Sequence, residues 1–171
     1  FNDVPVAAAS IAQVHKATTH HGKIVAVKIL RPNIEQAFAR DLDLFFWIAE
    51  IIEKRLHDWR RLKPVQVVQT FKESVFFELD LRFEAAAASE MSDNLKQHER
   101  GLNIPGVDWN LTSRRVLTMD WVDGIPFSDI EAIKNSGFDA NMILGKAAKS
   151  LFSQVFKDGF FHADLHPGNL F

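Results

Sequence analysis

The chain has 171 residues, 47% of them hydrophobic, a formal net charge of -2 and no cysteine. Its length suits one ordinary core or part of a larger fold, and its near-neutral charge gives no general attraction to nucleic acid. The lack of cysteine excludes a disulfide framework and thiolate zinc sites, while the apolar run Leu44 to Ile52 is too short for a membrane span and carries Glu50.

The chain opens on Phe1 and ends on an apolar Asn169-Leu170-Phe171, so it is expected to be a fragment of a longer protein. Its first runs, Pro5 to Ala17 and Ile24 to Leu30, flank the Gly-containing stretch THHGK and predict an antiparallel hairpin. Strand alternation puts Ala26, Lys28 and Leu30 on one face and Val25, Val27 and Ile29 on the other. Apolar residues at three- and four-residue spacing from Asn33 predict one long helix to about Arg61.

Pro64 suits the first turn of a second helix, predicted to run without a break through ELDLRFE and the Ala85 to Ala88 run to Met91. PGVDWNLTSRR reads as loop. RVLTMDWV reads as a strand closed by the Asp123-Gly124 turn, and Asp139 as the cap of a third helix that Gly159 stops. Arg60 to Lys63 is expected to be a solvated helix end, and Phe45, Phe46, Trp47 and Ile48 to be helix packing.

The chemistry lies in four stretches. Ala7-x-Ala9-x-x-Ala12-x-Val14 follows the glycine-loop pattern G-x-G-x-x-G-x-V with alanine at each glycine. An added methyl makes positive φ costly, so this loop must cover a nucleotide differently from a glycine loop. VAVK (Val25 to Lys28) resembles the protein-kinase strand V-A-I-K, whose lysine pairs with phosphates and a helix glutamate, and Ala26 would pack on adenine. On one continuous helix Asp80 and Glu84 fall within about 40° of each other and Glu78 points away, which selects Glu84 as the partner of Lys28.

HADLHPGN (His162 to Asn169) resembles the kinase catalytic loop H-R-D-x-x-x-x-N. Asp164 would orient or deprotonate an acceptor hydroxyl, Asn169 would hold Mg²⁺, and His162 and His166 would brace the loop. A metal site of His162, Asp164 and His166 is the weaker alternative, because no further close ligand pair accompanies it. RVLTMDWV would supply the nucleotide hinge, with Met119 behind the adenine and Asp120 to Val122 at its edge.

Together PVAAASIAQVH, VAVKILRP, ELDLRFEAAA and FFHADLHPGN resemble, in this order, the UbiB-type family of atypical protein-kinase-like proteins. The resemblance implies an α+β, protein-kinase-like fold: an N-lobe and hinge over residues 1–122, with a family-specific helical insertion at about 33–61, and the start of the C-lobe over 123–171. It implies ATP or ADP and Mg²⁺ as cofactors, with Ala7, Ala8, Ala9 and Ser10 as the nucleotide loop and Lys28 and Glu84 as the ion pair. Glu78 and Asp80 become the family's E-x-D signature, which engages an N-terminal K-x-G-Q extension. Leu81, Ala87 and Ala163 depart from residues common in the family.

The implied role is ATP hydrolysis or phosphoryl transfer to a small, lipid or other acceptor in support of ubiquinone biosynthesis. Quinone-biosynthesis enzymes and lipid or quinone precursors would be partners, and nucleic acid would not. The implied location is the cytoplasmic face of the bacterial inner membrane, or the matrix side in mitochondria, with membrane association through segments outside this chain. Two other readings stand beside it: a small-molecule phosphotransferase of the aminoglycoside or choline kinase type, which has a loop similar to HADLHPGN, and a pseudokinase-like binding module that organises biosynthetic enzymes, suggested by the missing loop glycines.

Overall fold

β-Branched residues alternating with small or polar ones build the opening sheet. The computed structural model describes residues 1–97, 102–127 and 129–161. Strands β1 (Ala7–Ala8), β2 (Ala12–Thr18) and β3 (Ile24–Leu30) pair antiparallel in sequence order, and β4 (Val116–Asp120) completes a four-stranded sheet in the order β1-β2-β3-β4. Gly22 adopts φ 82° in the β2–β3 turn, a conformation that costs glycine little. Val25, Val27 and Leu30 are buried.

Helix α1 (Ile34–Arg55) follows β3 through Pro32 and Asn33, and Asn33 sits in the left-handed region at φ 57°. Asparagine tolerates that conformation better than most residues. The predicted helix to Arg61 is six residues too long. Leu56 leaves helical geometry, His57–Leu62 form a 3₁₀ turn, and Arg60 Nε donates to the Glu53 carbonyl at 2.7 Å. Glu53 Oε1 also accepts the Val65 N–H at 3.1 Å, satisfying a first-turn donor of helix α2 (Pro64–Glu78). Helix α2 packs back on α1, with the Phe45 and Phe71 rings edge to face.

The expectation that Phe45 to Ile48 are packing residues holds in part: Phe45 meets the Phe71 ring and Phe46 is half-buried. Leu42 and Ala49 are the buried positions of α1, whereas Phe45, Trp47 and Ile48 are exposed, Trp47 by 62%. A wholly apolar turn of helix has more greasy positions than the single face turned to α2 can cover.

The predicted single helix from Pro64 to Met91 is two. Helix α2 ends at Glu78 and α3 (Leu81–Gln97) begins after Leu79 and Asp80. Leu79 and Leu81 are 3% and 1% exposed, and residues two apart on one continuous helix point about 200° apart, so both could not enter one core. The break lets both do so. It also frees the Leu81 N–H to donate to the Arg114 carbonyl at 2.9 Å.

The described chain forms two compact units. Residues 1–85 and 108–118 make the first, with the hairpin, α1, α2 and the start of α3. The described residues among 86–107 and 119–161 make the second, where Met91 and Leu95 of α3 are buried and Val107 bridges to Met119. The strand predicted over Arg115 to Val122 spans Val116–Asp120, and α4 (Ile130–Asn135), absent from the sequence reading, is capped by Asp129, which accepts the Ala132 N–H at 3.0 Å.

Asp139 caps α5 (Ala140–Ser153) as predicted, accepting the Asn141 N–H at 2.9 Å, and a π-helical turn at Gln154–Asp158 follows. Gly159 ends it at φ 65°. Among the described residues, no helix is long and apolar enough to cross a membrane.

Candidate functional site

Strand register assembles the first part of the site. Ala7 stands opposite Val14 and Val14 opposite Lys28, so the three form a transverse row across β1, β2 and β3. Directly opposed residues in antiparallel strands project to the same side. Ala26, two residues before Lys28, shares that face opposite Lys16.

From the end of this row Lys28 Nζ donates to both carboxylate oxygens of Glu84, at 2.8 and 2.7 Å across 56 positions of sequence. The side chains are 29% and 44% exposed, so water and ligand can reach the pair. Ala85, immediately after Glu84, is fully buried and seats the first turn of α3 against the core. The pairing does not arise from the geometry used to predict it, because Asp80 and Glu84 are not on one unbroken helix with Glu78.

The alanine loop follows Ala7, which Val14 separates from Lys28 in the sheet. The Ala9 N–H donates to the Ala12 carbonyl at 2.9 Å, closing a tight turn between β1 and β2. Ala7, Ala8, Ala9, Ser10 and Ala12 all have negative φ, since the non-glycine residues at positive φ among those described are Asn33 and Lys63. The loop therefore takes a backbone path that alanine occupies without strain. Ala7, Ala8, Ala9 and Ser10 are exposed, whereas Ala12 is 1% exposed and packs inward.

Two residues of this neighbourhood escaped the sequence reading. Arg31 Nε and Nη2 both donate to the Ala9 carbonyl at 3.1 Å, forking the guanidinium onto the loop. Arg115 Nη2 donates to the Arg31 carbonyl at 3.0 Å and its Nη1 to Glu35 Oε2 at 3.1 Å. The signal available in sequence was weak: arginines at a strand end and in a loop, 84 positions apart.

Of the E-x-D pair, Glu78 is exposed at the end of α2, while Asp80 is spent locally. Its Oδ1 accepts the Arg82 N–H at 3.2 Å and Arg82 Nε at 2.9 Å, and its Oδ2 accepts Arg82 Nη2 at 2.6 Å. This bidentate bond to the guanidinium holds the Asp80 carboxyl below the usual carboxylate range and pushes Arg82 up.

In the second unit, Met119 and Asp120 end β4, the Asp120 N–H donates to the Gly106 carbonyl at 2.9 Å, and Val122 is exposed in an irregular segment. A Cβ on Gly106 would stand 3.1 Å from Asp120 Oδ2, so glycine there leaves room for the Asp120 side chain. His162, Asp164, His166 and Asn169 lie outside the described residues.

A nucleotide fits the first unit's donor set: a cationic Lys28 held on an open sheet face, beside small side chains at Ala7 and Ala26 and a strain-free loop. Asn169, the expected Mg²⁺ ligand, is outside the described residues. Among the described residues no group of three or more histidines and carboxylates is placed to hold a metal.

The model of the ABC1 atypical kinase-like domain matches residues 1–171. The probable protein kinase UbiB of Marinobacter nauticus is 42% identical over 171 residues, covering 100% of this chain and 31% of that protein. Its counterpart in Shewanella frigidimarina is 40% identical over 172 residues, again covering 31% of the relative.

Among solved structures, the Rv3197–erythromycin complex from Mycobacterium tuberculosis superposes with a TM-score of 0.74 at 31% identity, covering 99% of this chain and 41% of that one. The chain thus spans under a third of the length of the curated relatives it matches. It has an α+β, kinase-like fold of N-lobe type, and it belongs to the ABC1 atypical kinase-like family.

Proposed function

We propose that this chain carries the nucleotide-binding part of an ATP-dependent atypical kinase or ATPase that supports ubiquinone biosynthesis. The observation that carries the reading is the Lys28–Glu84 ion pair on the sheet face that also bears Ala7, Val14 and Ala26. A lysine so held offers a fixed point charge to the α- and β-phosphates, and Glu84 keeps it from collapsing elsewhere. Ala26 packs on the adenine, Ala7 to Ser10 cover the phosphates, and Met119, Asp120 and Val122 supply the hinge. In this reading residues 1–122 are the N-lobe and hinge, and 123–171 begin the C-lobe.

Asp164 would orient the acceptor hydroxyl and take its proton, and Asn169 would hold Mg²⁺, which would supply positive charge beside the phosphates. The acceptor is a small or lipid-related molecule, or water. The protein works beside quinone-biosynthesis enzymes at the cytoplasmic face of the bacterial inner membrane, or on the matrix side if mitochondrial. ATP hydrolysis by the full-length protein tests this: wild type should turn over ATP with Mg²⁺ and Asp164→Asn should not.

The glycine-free loop favours one second reading, a nucleotide-dependent binding module with little turnover. Cellular function that survives Asp164→Asn but is lost in Lys28→Ala would select it.

A further inference from the structure

We propose that Arg31 is a positioning residue that latches the alanine loop, and that the latch is tied through Arg115 and Glu35 to the first turn of α1, so that the helical insertion sets how firmly the loop is held. The relay is continuous. The Ala9 carbonyl accepts both Arg31 donors at 3.1 Å, the Arg31 carbonyl accepts Arg115 Nη2 at 3.0 Å, and Glu35 accepts Arg115 Nη1 at 3.1 Å. Glu35 lies in the first turn of α1, where a carboxylate also favours the helix dipole.

Backbone bonds stiffen each joint. The Arg31 N–H donates to the Ile11 carbonyl at 2.8 Å, and the Leu30 N–H to the Arg115 carbonyl at 3.1 Å. Pro32 fixes its own φ and Asn33 holds a left-handed turn, so Arg31 and Glu35 are joined by a short, restricted segment. A displacement of the α1 N-terminus therefore pulls on Glu35 and, through Arg115, on the residue whose side chain grips Ala9. A glycine loop can bend over phosphates by its own backbone freedom; an alanine loop cannot, and an external latch takes over that control.

The inference rests on the proposed nucleotide site for its functional consequence, while the latch itself is read without nucleotide. Hydrogen exchange of residues 7–12 in the unliganded full-length protein is the test, with melting temperature as the folding control. Arg31→Ala should speed exchange there at least about fivefold. Glu35→Ala, which touches no loop atom, should speed it about twofold, and the double variant no more than Arg31→Ala alone.

Glu50→Ala, which breaks the Glu50–Lys54 pair on the same helix, should leave residues 7–12 unchanged. Additive effects, or exchange indifferent to Glu35→Ala, would overturn the coupling. ATP affinity measured on the same variants separates the two ideas: altered exchange with no ATP binding by any variant, wild type included, supports the latch and sinks the nucleotide reading.

Discussion

Lys28 Nζ lies 2.8 and 2.7 Å from the two carboxylate oxygens of Glu84, and this two-pronged contact joins β3 to the first turn of α3. Both side chains remain partly open to water, so the pair suits positioning a charge better than holding the fold together.

Glu84→Gln should therefore cost little stability, under about 1 kcal/mol by denaturant unfolding. The same change should weaken ATP binding by the full-length protein several-fold, because Lys28 loses its anchor. A large loss of stability would instead make the pair structural.

Replacing Ala7 and Ala9 by glycine should loosen the loop, since each glycine adds conformational freedom worth about 0.5 to 1 kcal/mol in the unfolded chain. The double variant is expected to melt lower and to bind ATP with a shifted affinity. An unchanged melting temperature would show that the loop is not ordered before ligand arrives.

Asp80 carries a pH dependence with a definite sign. Its carboxyl is held below its ordinary value of 3.8, chiefly by hydrogen bonding to Arg82. The stability it contributes is present in full above that value and is lost as pH falls through the lower value in the fold. Stability from pH 5 to 8 should be indifferent to this group, and Arg82→Ala should move its acid limb to higher pH. An acid limb unmoved by Arg82→Ala would show that the pair does not set the carboxyl's affinity for protons.

Leu81, the first residue of α3 and 1% exposed, is buried in the core three residues before Glu84. Leu81→Ala should cost about 2 to 5 kcal/mol by denaturant unfolding, far more than Glu84→Gln. Comparable costs for the two would contradict the division between packing and positioning drawn here.

Much of this arrangement was legible in sequence where local pattern decides it. The alternation in IVAVKIL gave the hairpin and the face of Lys28, and Asp139 and Gly159 marked the start and the stop beyond α5. Motif order named Glu84 as the lysine's partner, yet the helical-wheel argument behind the choice assumed an unbroken helix. The break at Leu79–Asp80 carries no proline or glycine, and it is made by tertiary demands, the burial of Leu79 and Leu81 together and the bond from Leu81 to Arg114. Arg31 and Arg115 were invisible for a similar reason: their contacts join residues 22 and 84 positions apart. The α1 end at Arg55 was missed because Glu53 and Arg60, not a cap motif, create it.

The central claim is that Lys28 belongs to a nucleotide site. ATP binding to the full-length protein, with and without Mg²⁺, compared between wild type and Lys28→Ala, tests it most directly. Wild type should bind in a Mg²⁺-dependent way, and binding should fall at least about tenfold in Lys28→Ala while the unliganded proteins melt alike. No binding by wild type, or binding that Lys28→Ala leaves intact, would contradict it.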